Sequence, residues 1–137
     1  YGIDVSRIAV GGFSAGARMA ACATYGKNVP AAAVVALSGM LGMEDAKRVI
    51  LPGGKYAPAL IVVGENDLDY VKALGEQAHV YFDQRGVTNE LWEVPGGTHF
   101  YPASSLVHQG DDPSVTSHLE PVIADFLYRS LRLAELG

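Results

Sequence analysis

The pentapeptide Gly12-Phe13-Ser14-Ala15-Gly16 sets one hydroxyl between glycines, where the apolar run Ile8–Val10 gives way to an alanine-rich segment. A strand that turns sharply into a helix forces the residue at the corner into a strained backbone conformation. Residues two before and two after it then crowd each other, which favours glycine at both places. Such a turn lifts the Ser14 hydroxyl clear of the sheet and brings the Ala15 N–H toward the space where an oxyanion would form. A hydroxyl displayed in this way suits nucleophilic acyl transfer. The plainer alternative is a glycine-rich turn in which Ser14 caps the helix through its side chain. A phosphate-binding loop fits less well, because Gly11–Gly16 lacks the G-x-G-x-x-G spacing and no P-loop lysine follows. Phe13, directly before the serine, is read as a substrate contact.

A serine hydroxyl is a poor nucleophile until a base takes its proton, and the base in turn needs a group to orient it. Ala59–Val63 reads as a strand running into Gly64-Glu65-Asn66-Asp67, and Glu90–Val94 reads as a strand running into Pro95-Gly96-Gly97-Thr98-His99. Functional groups in open α/β sheets gather beyond the C-terminal ends of strands. Asp67 is therefore preferred as the acid over Glu65, which is nearer the strand, and over Asp69, which is expected to cap the next helix. His99 is preferred among the four histidines. His79 falls within a helix, and His108 and His118 fall in a loop and the last helix, with no strand end to place them.

The elements that must hold these groups alternate. Strands are expected at Arg7–Gly11, Ala32–Leu37, Ala59–Val63 and Glu90–Val94, the first three almost continuously apolar, as suits strands buried on both faces of a parallel sheet. Helices are expected at Ala15–Tyr25 and Asp69–Arg85, ended by Gly26 and Gly86, with one or two turns over Glu44–Ile50. A final helix is expected at Ser114–Leu133, where Val122, Ile123, Phe126, Leu127 and Leu131 form an apolar stripe. Pro102–Pro113 is the longest loop. The order predicts an α/β fold, a parallel sheet of about four strands with flanking helices.

The 137 residues suit one domain with one core, and 49% hydrophobic with 18% charged residues is a globular composition. A net charge of -5 with scattered Lys and Arg argues against a nucleic-acid surface or an anionic membrane partner. No apolar stretch reaches the roughly 20 residues of a membrane span. Cys22 is the one cysteine, so an intramolecular disulfide is impossible and a cysteine-based zinc site is not expected. Neither a metal nor a cofactor is expected. The compartment is open. The chain begins at Tyr1, and a preceding segment is expected.

The chain order Ser, Asp, His is that of the α/β-hydrolase superfamily of esterases and lipases, which this sequence resembles over the C-terminal half of that fold. Tyr1 to Val10 is similar to the lead-in to the nucleophile strand of compact bacterial esterases. Val94 to His99 is similar to the histidine segment of dienelactone-hydrolase-like and polyester-depolymerase-like members. The resemblance implies Ser14 as nucleophile, His99 as general base, Asp67 as the acid that orients it, and a small ester as substrate. It also implies upstream strands, and an upstream loop supplying a second oxyanion N–H beside that of Ala15, none of which is in this sequence. The short connection from Ser38 to Ala57 implies a lidless, open site suited to short-chain esters. Without upstream strands, Arg7–Gly11 would be a bare apolar edge, and pairing of two such edges in a homo-oligomer is expected, most simply a two-fold dimer.

Overall fold

The computed structural model describes residues 5–27 and 29–136, with residues 5 and 133–136 described by backbone alone. Residues 1–4, where the resemblance to the esterase lead-in begins, lie outside the described residues. After a 3₁₀ turn at Val5–Arg7, the chain forms β1 (Ala9–Phe13), α1 (Ala15–Ala21) and a π-helical turn (Cys22–Gly26). There follow β2 (Ala33–Leu37), α2 (Met43–Val49), β3 (Ala59–Gly64), α3 (Asp69–Gln84) and β4 (Asn89–Val94). The chain closes with β5 (Leu106–Gln109), β6 (Thr116–His118) and α4 (Leu119–Leu136).

The sheet has six strands in the order β1-β2-β3-β4-β5-β6, with β1 to β4 parallel and β5 and β6 antiparallel. The four expected parallel strands are present. The last two are not where the sequence placed structure: β5 lies inside the expected loop Pro102–Pro113, and β6 occupies the expected start of the final helix. His108 is therefore a strand residue of β5, and His118 one of β6.

The near-continuous apolar runs are explained by layers on both faces. Val34, Ala36 and Ile61 point to one face, where Ala17, Ala21, Met40, Ala78 and Phe82 from α1, α3 and the β2–α2 connection cover them. Val35, Leu60 and Val62 point to the other, where Leu119, Val122 and Phe126 of α4 pack with Trp92, Val94 and Val107. Each fully buried Val, Leu, Ile or Phe contributes about 1.5–3 kcal/mol. β1 has β2 as its one strand neighbour among the described residues, so the expected sheet edge is where β1 lies.

Helix ends follow the sequence in part. Gly86 adopts φ 72 after Arg85, the left-handed stop expected of α3. Gly26 does not act this way: α1 widens into the π-helical turn, and Lys27 takes the C-cap position. Asp69 does not cap α3 either. Leu68 holds the N-cap, and Asp69 sits in the first turn, where its charge complements the helix dipole.

Candidate active site

The corner between β1 and α1 is a single residue. Ser14 has φ 58 and ψ -121, a region L-residues rarely adopt, at a cost of about 1–3 kcal/mol. Its N–H extends the β-ladder by donating to the Leu37 carbonyl at 2.8 Å, while its own carbonyl accepts from Ala17 at 3.0 Å and begins the helix. A Cβ on Gly12 would stand 2.2 Å from the Gly16 carbonyl oxygen, so glycine is obligatory there. The crowding is one-sided, however: a Cβ on Gly16 would meet nothing within 4 Å. Ser14 occupies the N-cap position but makes no side-chain cap bond. Its hydroxyl faces His99 instead, with Oγ 2.8 Å from Nε2.

Two loops are fastened together to bring the imidazole there. The β3–α3 loop donates backbone bonds to the end of β4 and the loop that follows it, Glu65 N–H to the Val94 carbonyl at 3.0 Å and Asn66 N–H to the Gly97 carbonyl at 2.7 Å. A Cβ on Gly64 would lie 2.2 Å from the Thr98 carbonyl oxygen, so this close approach needs glycine at the end of β3. Glu65 is exposed and accepts from the Gly96 N–H at 3.2 Å, outside the cluster of Ser14 and His99. Asp67 turns inward. Its side chain is fully buried, and its oxygens lie 2.9 and 3.1 Å from His99 Nδ1. The same carboxylate accepts the Leu68 N–H at 2.7 Å. A buried carboxylate against Nδ1 places the ring proton on that nitrogen and leaves the Nε2 lone pair toward the Ser14 hydroxyl.

Ser14, Asp67 and His99 are thus brought together from the C-terminal ends of β1, β3 and β4. His108 is elsewhere, on β5 beside Glu93 at 3.3 Å. Phe13 packs its ring against His99, with centroids 5.2 Å apart, and against Phe100 at 5.3 Å. Ser14, Ala15 and His99 open into a cavity of about 240 Å³ walled by Met40, Leu68, Val71 and Leu74. A larger groove of about 580 Å³ between α2 and α3, lined by Met43, Lys47, Tyr81 and Arg85, has no nucleophile–base pair among its described residues.

Two residues escaped the sequence reading. Ser38, directly after β2, has φ 54 and is 1% exposed. Its hydroxyl donates to the Tyr101 oxygen at 2.8 Å and lies 3.4 Å from the His99 carbonyl oxygen. Burial pushes the Tyr101 phenol above its ordinary value, so it stays neutral. A Cβ on Gly39 would stand 2.3 Å from the Ser14 carbonyl oxygen. The Ser38-Gly39 turn therefore abuts the serine corner on one side and the histidine loop on the other. The available signal was a polar residue just beyond the end of a buried strand, the cue that also led to Asp67.

A mostly parallel sheet with helices on both faces and polar loops at the strand ends defines an α/β-hydrolase fold. Residues 1–111 match the model of the phospholipase/carboxylesterase family, and the chain belongs to that family of esterase- and phospholipase-type hydrolases. Crystal structures of two variants of SOBER1 from Arabidopsis thaliana share the fold, each with TM-score 0.65 and 20% identity. The match covers 95% of this chain and 56% of each SOBER1 chain, so this chain spans just over half the length of those relatives. No curated protein matches it in sequence.

Proposed function

We propose that this chain carries the serine, histidine and acid of a carboxylic ester hydrolase working through an acyl-enzyme on Ser14. The observation that carries the reading is the continuous relay, 2.8 Å from Ser14 Oγ to His99 Nε2 and 2.9 Å from Nδ1 to the buried Asp67. His99 Nε2 takes the hydroxyl proton as Oγ attacks the ester carbonyl, and the Ala15 N–H stabilises the oxyanion that forms. The imidazolium, held by Asp67, returns that proton to the departing alkoxide. Water then attacks the acyl-enzyme with His99 again as base, which releases the acid. Proton and acyl transfer of this kind need no cofactor. The small cavity favours short acyl groups, and Phe13, its ring packed 5.2 Å from that of His99, supplies an apolar substrate contact beside the imidazole.

A fluorophosphonate probe should label the protein at Ser14, and Ser14→Ala should abolish the labelling. Absence of labelling in the wild-type protein would favour a non-catalytic member of the family. Ester, thioester and lactone substrates are then ranked by kcat/KM on matched acyl groups.

Ser38 acts in this reading as a positioning residue for the histidine loop. Ser38→Ala and Ser38→Gly should both lower kcat by about 10–100-fold with KM little changed, since a misplacement of about 1 Å costs on that order. Glycine relieves the positive φ without supplying a hydroxyl. Wild-type kcat in Ser38→Gly would show that backbone conformation matters there and the hydroxyl does not.

A further inference from the structure

The far end of the sheet holds a cluster that the ester chemistry does not use. His79 and Asp83 stand one turn apart on α3, Asp111 lies in the turn between β5 and β6, and Asn89 opens β4. Ser14 follows the C-terminal end of β1, whereas Asn89 is at the N-terminal end of parallel strand β4, so the cluster is on the opposite side of the molecule from the serine.

The His79 side chain is 7% exposed, with each ring nitrogen committed. Asn89 Nδ2 donates to Asp83 Oδ1 at 2.7 Å and to the Val87 carbonyl at 3.0 Å, which turns Asn89 Oδ1 toward His79 Nδ1 at 2.5 Å. An amide oxygen only accepts, so Nδ1 carries a proton and Nε2 looks out of the other edge of the ring. There it meets two carboxylate oxygens from separate elements, Asp111 Oδ2 at 2.8 Å and Asp83 Oδ2 at 3.6 Å. One imidazole nitrogen and two carboxylates converging from separate elements are a nitrogen–oxygen ligand set of the kind that holds a divalent transition metal.

We propose that His79 Nε2, Asp83 and Asp111 form a site for one divalent transition-metal ion, zinc by ligand chemistry, tying α3 to the β5–β6 turn. The ligand atoms lie within 4.8 Å of one another, and tetrahedral zinc with bonds of about 2.0–2.2 Å needs them about 3.4 Å apart, a small adjustment for two exposed aspartates. The imidazole selects against calcium and magnesium, which prefer all-oxygen sites. Nδ1–H on the Asn89 carbonyl is the outer hydrogen bond that fixes the ring of a metal-binding histidine. Asp83 and Asp111, with side chains 57% and 74% exposed, give the ion a path in and leave a fourth position for water.

Cobalt(II) and zinc(II) titrations of the full-length protein, purified with chelator, test this. One ion per chain, a visible tetrahedral cobalt spectrum and a rise in Tm of roughly 5 °C are expected. Asp111→Ala, at an exposed turn, should weaken binding at least tenfold without disturbing the fold, and His79→Gln should abolish the spectrum. No cobalt spectrum and no Tm rise at neutral pH would overturn the site and leave His79 holding a proton only. Binding that persists unchanged in Asp111→Ala would overturn it too, by placing the ion elsewhere.

Discussion

Replacing His99 with alanine should lower kcat for a simple ester by about 10⁶-fold, because nucleophile and base act as one unit. The ring stands 2.8 Å from Ser14 Oγ, and no other histidine described here is aimed at that hydroxyl: His79 is tied to Asn89 and Asp111, and His108 to Glu93. Without the imidazole the serine keeps its proton at neutral pH, and attack on the carbonyl must proceed from a neutral hydroxyl. Ser14→Ala should cost about as much, and the double variant no more than either single one. Steady-state turnover across pH is the measurement. Activity within tenfold of wild type in His99→Ala would move the role of base to His108 or His118 and end the present reading.

Asp67→Asn should lower kcat about 10⁴-fold with KM nearly unchanged. The substitution conserves shape, so Oδ1 can still accept the Leu68 N–H, now found at 2.7 Å, and the loop should keep its conformation. What changes is the proton on the ring. A carboxylate offers only acceptors to Nδ1, whereas an amide can present its NH₂ group and accept the other tautomer. The proton then sits on Nε2, facing Ser14, and no base remains. The positive charge that His99 gains during attack also loses its counter-charge inside a buried site. Circular dichroism and Tm should stay near wild type, which separates this effect from unfolding. A kcat within tenfold of wild type would show that Asp67 serves the loop alone.

Much of this protein could be read along the chain because its main signals are local. The serine corner needs only neighbours: a Cβ on Gly12 would collide with the carbonyl four residues on, at 2.2 Å, and Ser14 must then bridge strand and helix. The four parallel strands announce themselves because both faces are covered, so nearly every residue in β2 and β3 is apolar. Asp67 and His99 could be chosen because each follows such a strand by a few residues. Other features were invisible for the opposite reason. β5 and β6 are four and three residues long, partly exposed and without a continuous apolar run, and exist because β4 offers an edge to pair with. Ser38 reaches Tyr101 across 63 residues, and His79 reaches Asp111 across 32, neither with a spacing or period to mark it. The sequence by itself determined which backbone corners and buried strands must form, since sterics and hydrophobic period act between near neighbours. The tertiary structure alone decided which distant polar groups meet, since a buried hydrogen bond or ion pair takes its strength from surroundings that exist only once the sheet is assembled.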